Sequence, residues 1–277
     1  MNYFPFCHSE RSEESRSKVS FPFAVAQSQD SVPGASPSCR FYRHWIKDSD
    51  LVSFNVVVEQ TDLYIRARRN LKNKALKSVL KHRASLGAYI ERHPLFLTTL
   101  NPYQAEAEAP TIIREMTKAS QAAGVGPMSA VAGAIAEAVG RDLLPFSSEV
   151  IVENGGDIFL KILKRRLVGI YAGQSPFTGK IALEIKPEET PLGICTSSAS
   201  IGHSLSLGIA DAVIILSRSA PLADAVATAI GNMVKDADGI AEAIKKAQNV
   251  AGLRGIVIIK SDKIGGWGKV KIVSLTP

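Results

Sequence analysis

Four short stretches of this sequence carry residue types that could bind or cleave an anionic ligand. The first is Glu153-Asn-Gly-Gly-Asp157, which lies between two runs with strand character. Asn-Gly is one of the strongest hairpin signals, because both residues tolerate a positive φ. Consecutive glycines also let backbone N–H groups approach a phosphate, here between the carboxylates of Glu153 and Asp157. The pattern is typical of a plain turn and of an anion cradle, and it leaves both open.

The second stretch runs from Gly193 to Ser204 and joins a strand end to a hydroxyl-rich loop that contains His203. Its neutral donors and its imidazole suit an anion or a polar ring system. His203 is the candidate general acid or base, because imidazole titrates near neutral pH; a plain hydrogen-bonding histidine is the alternative. Cys195 would need a nearby base to act as a nucleophile, and a small buried residue is its more ordinary role.

The third stretch, Ala223-Asp-Ala-Val-Ala-Thr-Ala229, opens a predicted helix. An Asp near a helix N-terminus interacts favourably with the macrodipole, so Asp224 is interpreted first as a capping residue. Asp224 and Thr228 are four residues apart, which places a carboxylate and a hydroxyl on one helix face as two oxygen ligands for Mg²⁺. Two ligands alone do not make a metal site. The histidines show no H-E-x-x-H spacing, so zinc is not indicated.

The fourth stretch is Val125-Gly-Pro-Met128 and the helix that follows it, which is rich in Ala and Gly. Such small side chains let another backbone or a flat ligand come close. Tight helix packing is the simpler interpretation.

The elements around these stretches predict an α+β fold in which antiparallel sheets pack against helices. A hairpin opens at Leu51, and apolar periodicity then predicts helices over 70–92, 110–123 and 128–141. The remaining predictions are strands at 149–153, 157–163, 167–172, 180–185, 192–196 and 211–217, helices at 221–234 and 239–249, and strands at 255–260 and 268–275. The order lacks regular βαβ alternation, and strand pairs, helix pairs and strand pairs give it a weak internal symmetry.

Residues 1–47 differ from the rest of the chain, since they are Ser-rich and show no sustained helical or strand period. We interpret them as a disordered or mis-annotated N-terminal extension, for example translated upstream DNA. Residues 48–277 are expected to form a single domain, a size common for mixed folds.

The composition is that of a globular protein, with 45% hydrophobic and 21% charged residues. No run approaches the roughly 20 apolar residues of a transmembrane helix, so none is expected. The three cysteines lack C-x-x-C spacing, which favours a reducing cytoplasm over a disulfide framework. The net charge of +7 is concentrated in 66–83, a stretch without acidic residues. A solvated helix face explains it best; nucleic-acid binding is the weakest of the functional hypotheses.

Together, the four stretches resemble the ApbE-related proteins, the FAD:protein FMN transferase-like superfamily, in an uncharacterised branch. The resemblance runs from Tyr42 to the C-terminus. It implies a duplicated T-fold-type architecture, binding of FAD or an FMN-like ligand with Mg²⁺, and transfer of FMN to a protein threonine. The flavin-site residues that it implies are Asn154, Gly155, Gly156, Asp157, Thr196, Ser197 and Ser198, with Asp224 and Thr228 as metal ligands and His203 and Asp224 as catalytic residues.

The sequence also departs from the transferases. Their helix carries a Lys-Gly pair, whereas Met128–Glu137 contains no lysine, and the string Ser175-Pro-Phe-Thr-Gly179 precedes the hydroxyl-rich loop instead of following it. We therefore expect a flavin- or nucleotide-type ligand-binding protein with an anionic small-molecule ligand. Mg-dependent phosphoanhydride cleavage with FMN transfer to an unidentified protein acceptor is the leading hypothesis. A non-catalytic binding protein that has lost transferase activity is the alternative.

Overall fold

A computed structural model describes residues 49–198 and 209–275. The strands are β1 Val52–Val58, β2 Thr61–Ala67, β3 Val150–Asn154, β4 Asp157–Lys161, β5 Arg166–Gly169, β6 Ile181–Ile185, β7 Leu192–Ser197, β8 Ala212–Ser217, β9 Leu253–Lys260, β10 Lys263–Gly268 and β11 Ile272–Ser274. The helices are α1 Lys72–Arg92, α2 Leu95–Thr98, α3 Thr111–Ala123, α4 Val131–Leu143, α5 Ala220–Gly231 and α6 Ile240–Gln248.

An antiparallel sheet of eight strands organises the described residues, in the order β1-β2-β3-β4-β7-β8-β9-β10. The described fold has two halves, and each contains an antiparallel strand pair, a set of helices and a second strand pair, in that order along the chain. The first half is β1–β2, α1–α4 and β3–β4; the second is β7–β8, α5–α6 and β9–β10. The predicted α+β class and the repeated strand-pair, helix, strand-pair order are therefore confirmed.

The central strands of the large sheet are buried on both faces. On β3, Val152 faces the helices, while the preceding Ile151 faces a small sheet of order β11-β6-β5. The same alternation on β4 sends Phe159 to the helix side and Leu160 to the small-sheet side. Successive side chains of a strand point to opposite faces, so the central strands β3, β4, β7, β8 and β9 contribute to two cores.

Helices α4 and α5 approach each other and β7 closely because glycines stand at the contacts. A Cβ at Gly133 would lie 2.5 Å from the carbonyl oxygen of Ala220 and 2.9 Å from Cβ of Asp224. A Cβ at Gly193 would lie 2.7 Å from the amide nitrogen of Ala220. The small residues of the fourth stretch thus permit tight packing, as their simpler interpretation predicted.

A buried ion cluster joins the start of β3 to β5. The Arg166 guanidinium donates to Glu149 at 2.9 Å and to Asp50 at 2.7 Å, and Arg68 lies 2.6 Å from the second Glu149 oxygen. Burial alone would raise the pKa of Glu149, but the hydrogen bond from Arg166 and the charge of Arg68 outweigh it and lower that pKa. Glu149 therefore remains ionised in the interior.

The C-terminal strand prediction is correct only for Ile272–Ser274, which form β11, and it missed β10. In place of one strand over 268–275, the chain forms β10 in the large sheet and β11 in the small one. Gly268, at φ +86°, ends β10 and redirects the chain. The cluster Gly265-Gly266-Gly268 resembles a loop, which hid β10 from a propensity argument. The short helix α2 was also missed, because Pro94 ends α1 and at the same time begins another helical turn.

The described residues contain no single helix with the length and apolar character needed to cross a membrane. By length and composition alone, the helical segments Thr111–Ala123 and Pro127–Phe146 would satisfy that test as a pair, with a bend of 106° between them.

Candidate ligand site at the strand ends

The glycine stretch forms the tight turn between β3 and β4. Asn154 pairs with Asp157 across the ladder, and Gly155 and Gly156 adopt φ of 68° and 106°. These positive angles are what a two-residue hairpin loop requires, and glycine adopts them without strain. The Asn154 side chain donates to the carbonyl oxygen of Ala132 at 3.1 Å, which attaches the turn to the start of α4.

The hydroxyl-rich stretch ends beside this turn. β7 pairs with β4, with Ile194 opposite Ile158, so residues 196–198 lie at the same end of the sheet as the glycines. The strand alternation then divides the predicted site between two faces. Asp157 and Cys195 point toward the helices, whereas Glu153, Thr196 and Ser198 line a cavity on the opposite face.

Two buried carboxylates, Asp157 and Asp224, interact on the helix side. Asp157 Oδ1 accepts from the backbone N–H of Thr196 at 3.2 Å, and Asp224 Oδ2 accepts from the N–H of Gly133 at 2.8 Å. Burial, followed by the charge of Asp224, raises the pKa of Asp157 well above its ordinary value. Burial raises the pKa of Asp224 to about 7, against the N–H donation from Gly133 that lowers it.

Cys195 lies next to this pair. Its thiol is fully buried and donates to the carbonyl oxygen of Ala220 at 3.3 Å. Burial and the nearby carboxylates of Asp157 and Asp224 raise its pKa well above the ordinary value. Because the thiolate is the nucleophilic form, this environment opposes nucleophilic catalysis by Cys195.

Asp224 does not cap its own helix. The N-cap of α5 is Ser219, whose hydroxyl accepts from the N–H of Leu222 at 3.3 Å. The buried Glu137 carboxylate accepts from the N–H of Ala220 at 2.6 Å. Asp224 sits one turn further along α5 and reaches across to Gly133 on α4. Its interpretation as a capping residue is therefore wrong, since two other side chains fill that role.

The oxygen donors of Asp157, Asp224 and Thr228 suit Mg²⁺ better than a transition metal. No group of three or more His, Cys, Asp or Glu side chains that could hold a metal ion occurs in residues 49–198 and 209–275. Mg²⁺, however, usually takes one or two carboxylates and completes its shell with water and ligand phosphates. Asp157, Asp224 and the half-buried Thr228 are oxygen donors of that kind.

The cavity on the opposite face lies between the two sheets and has a volume of about 120 Å³. Gly155 and Gly156 form part of its wall, at the end where β3 turns into β4. It is lined by Tyr64, Arg66, Glu153, Gly155, Gly156, Ile158, Leu167, Val168, Gly169, Ile170, Tyr171, Leu183, Ile194, Thr196, Ser198 and Ile214.

The predicted site residues therefore fall into separate groups. Gly155, Gly156, Thr196 and Ser198 line the cavity, whereas Asn154, Asp157 and Asp224 face the helices. Ser197 also points away from the cavity, since a Cβ at Gly231 would lie 2.9 Å from its hydroxyl oxygen. His203 lies outside the described residues, and its role stays a prediction.

Among the aromatic and charged residues of the cavity, sequence reasoning did not assign Tyr64, Arg66 and Tyr171 to the ligand site. A signal for the first two was present in β2, where they alternate with Leu63, Ile65 and Ala67. Arg66 was counted with the basic stretch 66–83 and interpreted as part of a solvated helix face. In the structure it lies on β2, on a face that the second sheet partly covers.

A family model described as "AbpE bacteria" matches residues 43–255. The chain belongs to this family. Similar members of known sequence are named UPF0280 proteins. One from Methanocaldococcus jannaschii is 40% identical over 221 residues, which cover 78% of this chain and 90% of the relative. Another from Methanopyrus kandleri is 40% identical over 233 residues, or 81% of this chain and 94% of the relative.

Solved structures share the AbpE fold at low sequence identity. The flavin transferase ApbE from Vibrio cholerae matches with a TM-score of 0.52 and 13% identity, covering 82% of this chain and 97% of that protein. The ApbE protein from Thermotoga maritima gives a TM-score of 0.51 and 11% identity, covering 78% and 96%. The expected relationship to ApbE proteins is thus confirmed at the level of the fold.

Proposed function

We propose that this protein binds a flavin dinucleotide together with Mg²⁺ and cleaves its phosphoanhydride bond, transferring FMN to a protein acceptor. The observation that carries the proposal is the buried pair Asp157 and Asp224 behind the glycine turn. The likeness of the fold to a flavin transferase from Vibrio cholerae supports the choice of ligand.

A buried carboxylate pair favours a cation. Like charges that share a buried site cannot both ionise without a large free-energy cost, so the pair either holds a proton or binds a positive ion. Among the described residues, neither Asp157 nor Asp224 forms an ion pair with Lys or Arg. Thr228 stands one helical turn after Asp224 and offers a neutral oxygen. Mg²⁺ fits this donor set, with ligand phosphates completing its shell.

The remaining roles follow from phosphoryl chemistry. The acceptor hydroxyl attacks the phosphorus of the FMN half, the bond from that phosphorus to the bridging oxygen breaks, and AMP leaves with the electron pair. Such a reaction depends mainly on positioning and charge neutralisation, and bound Mg²⁺ supplies the second. We place the ligand against the backbone of Gly155 and Gly156, at the ends of the strands. We propose that His203 takes up the proton that the acceptor hydroxyl loses.

Ligand binding without transfer is the second candidate. Where the transferases carry a lysine, the segment Met128–Glu137 offers only apolar residues, Ser129 and Glu137. Glu137 is already engaged by Ala220 and Arg141. A protein with this helix could retain the pocket and lack the transferase activity.

Calorimetric titration of the full chain with FAD, with and without MgCl₂, tests the proposal. We expect FAD to bind more tightly with Mg²⁺, and Asp224→Asn to abolish that gain. Asp238→Asn removes the same charge from an exposed site and should behave like the wild type. AMP release, followed by chromatography, separates transfer or hydrolysis from mere binding. Equal FAD affinity with and without Mg²⁺ in the wild type would refute the metal site, and absence of FAD binding would refute the function.

A further inference from the structure

One edge of the large sheet, strand β1, lacks the features that usually prevent a sheet edge from pairing with another chain. Within residues 49–198 and 209–275, β1 has a neighbouring strand on one side only. Its residues, Val52–Val58, include no charged side chain and no proline, whereas β10 at the opposite edge contains Lys263 and three glycines. Natural edge strands are commonly protected by charge, proline or irregular backbone. β1 is therefore the edge that can accept a further strand.

Helix α1 carries two leucines that project past this edge. The helix packs on β1, and its Ser78 and His82 side chains lie 2.8 and 3.0 Å from the Asp142 carboxylate of α4. Each residue of an α-helix is rotated by about 100° from the one before it, so Leu76 and Leu80 point away from α4 and over the open side of β1. Leu76 is 38% exposed and Leu80 is 50% exposed. An apolar strip of α1 thus lies directly above the place where a further strand would pair.

A second copy of this chain presents the same edge in a complementary orientation. A two-fold axis perpendicular to the sheet makes the two β1 strands antiparallel, and every side chain keeps its own face of the sheet. Residues that lie opposite each other must then be an even number of positions apart. The register that pairs all of Val52–Val58 places Asn55 opposite the partner's Asn55. In this arrangement the two α1 helices lie side by side, and the leucines of one helix face those of the other.

The charged residues of α1 allow this approach. Lys81 lies 3.8 Å from Asp142, on the side of the helix that faces α4. Arg83 is on the leucine side, where it forms an ion pair with Glu59. Lys77 is exposed, and its position about 100° beyond the first leucine directs it to solvent. The middle of the leucine strip therefore carries little uncompensated charge.

The two edges are large enough for a weak dimer. A helix of 21 residues is about 32 Å long, and a strand of 7 residues is about 23 Å long. With a width of about 10 Å each, the two strips present about 550 Å² on each copy, or about 1,100 Å² in total. That area is at the lower limit of specific interfaces, so we expect an affinity in the micromolar range.

We propose that this protein binds a second copy of itself through β1 and α1, about a two-fold axis that passes near Asn55. The large sheets of the two copies become continuous across this interface, and Leu76 and Leu80 of both copies are removed from water. The turn between Asn154 and Asp157 lies two strands inside the edge, so the interface leaves the candidate ligand site open. The dimer does not depend on the proposed function.

Sedimentation equilibrium of the full chain tests the association. We expect a monomer–dimer equilibrium in the wild type, and Leu80→Glu, which places a charge in each half of the interface, should raise the dissociation constant at least tenfold. Ile264→Glu adds the same charge at a site on β10 that is 40% exposed, and it should retain the wild-type constant. A wild type that is monomeric at about 100 µM, or a Leu80→Glu variant with an unchanged constant, would overturn the proposal.

A cysteine at position 55 tests the position of the axis. Opposite Cα atoms of antiparallel strands are about 4.5–5.5 Å apart, which a disulfide can span. In a chain that also carries Cys7→Ser and Cys39→Ser, Asn55→Cys should form a dimer on oxidation that a reductant separates. Ser53→Cys is exposed on the same face and should remain monomeric in denaturing gels, because the partner's Val57 lies opposite it. Absence of the cross-link at 55, or equal cross-linking at both positions, would refute this interface even if Leu80→Glu does not fold.

Discussion

Two of the places where carboxylates are buried in this molecule have surroundings that differ in one respect. At the start of β3, Glu149 lies between Arg166 and Arg68, and its pKa is lowered. At the far end of the neighbouring strand, Asp157 lies beside another acid, Asp224, and its pKa is raised. The fold supplies the cations in the first region. In the second, the described residues supply N–H donors and a thiol.

The comparison separates a buried carboxylate that serves the fold from a buried carboxylate pair that can serve ligand binding. A buried ion pair that is complete within the chain stabilises that chain or leaves it unchanged, and it needs nothing from outside. A buried acid pair without a cation is costly in the free protein and gains from a ligand that brings one. This difference is the reason to place the ligand at the Asp157 end of the sheet.

Removal of the cation from the first region should have the largest effect. Arg166→Met leaves Glu149 and Asp50 without their main partner, and a broken buried pair costs about 3–5 kcal/mol. We expect that loss in the free energy of unfolding from urea titration. The exposed Lys164, which pairs with Asp50, provides the control: Lys164→Met should cost less than about 1 kcal/mol. Equal losses would show that Arg166 is not central to the cluster.

Gly133→Ala should disturb the second region without altering a charge. The added Cβ would lie 2.5 Å from the carbonyl oxygen of Ala220, so α5 must move away from α4. Overpacking of this kind costs about 1–3 kcal/mol, and displacement of Asp224 should also weaken Mg²⁺ binding. At Gly239, the nearest atom to such a Cβ is 3.4 Å away, so Gly239→Ala should change neither property. Unaltered Mg²⁺ binding in Gly133→Ala would contradict the assigned site.

Acid should act on the first region through Glu149. Its folded pKa lies below the unfolded value of about 4.5, so the unfolded state binds more protons as the pH falls below that value. Its contribution is therefore complete above the unfolded pKa and is lost on acidification through the folded pKa, at up to about 1.4 kcal/mol per pH unit for one proton. Urea titrations from pH 6 to pH 3 should show a shallower decline in Arg166→Met than in the wild type. Parallel curves would exclude Glu149 as a major contributor.

Asp224→Asn should have the smallest effect on folding. In the absence of Mg²⁺, the amide removes repulsion with Asp157 and still accepts from Gly133, so the free energy of unfolding should rise or stay within about 1 kcal/mol of the wild type. Thermal unfolding of Asp224→Asn and the wild type in the absence of metal measures this difference in the free energy of unfolding. A loss as large as that of Arg166→Met would mean that Asp224 serves the fold, and the contrast between the two regions would collapse.

Most of the fold was predictable because its elements have strong local signals. The hairpin at β1–β2, the periodicity of α1 and the Asn-Gly turn each depend on nearby residues, and the structure contains all three. The division of the site between two faces was not predicted, because it requires the pairing of β4 with β7 and the presence of a second sheet. The boundary at residue 48, the cytoplasmic location and the role of His203 stay predictions.

The length of the β3–β4 turn carries information of its own. With two residues in the loop, Asp157 faces the helices and Ile158 faces the cavity. One inserted residue, with the register of β3 unchanged, would exchange these directions, so the acid would enter the cavity between the sheets and the isoleucine would replace it beside Asp224. The number of residues in this turn, as much as their identity, thus determines which face of the sheet receives Asp157 and which receives Ile158.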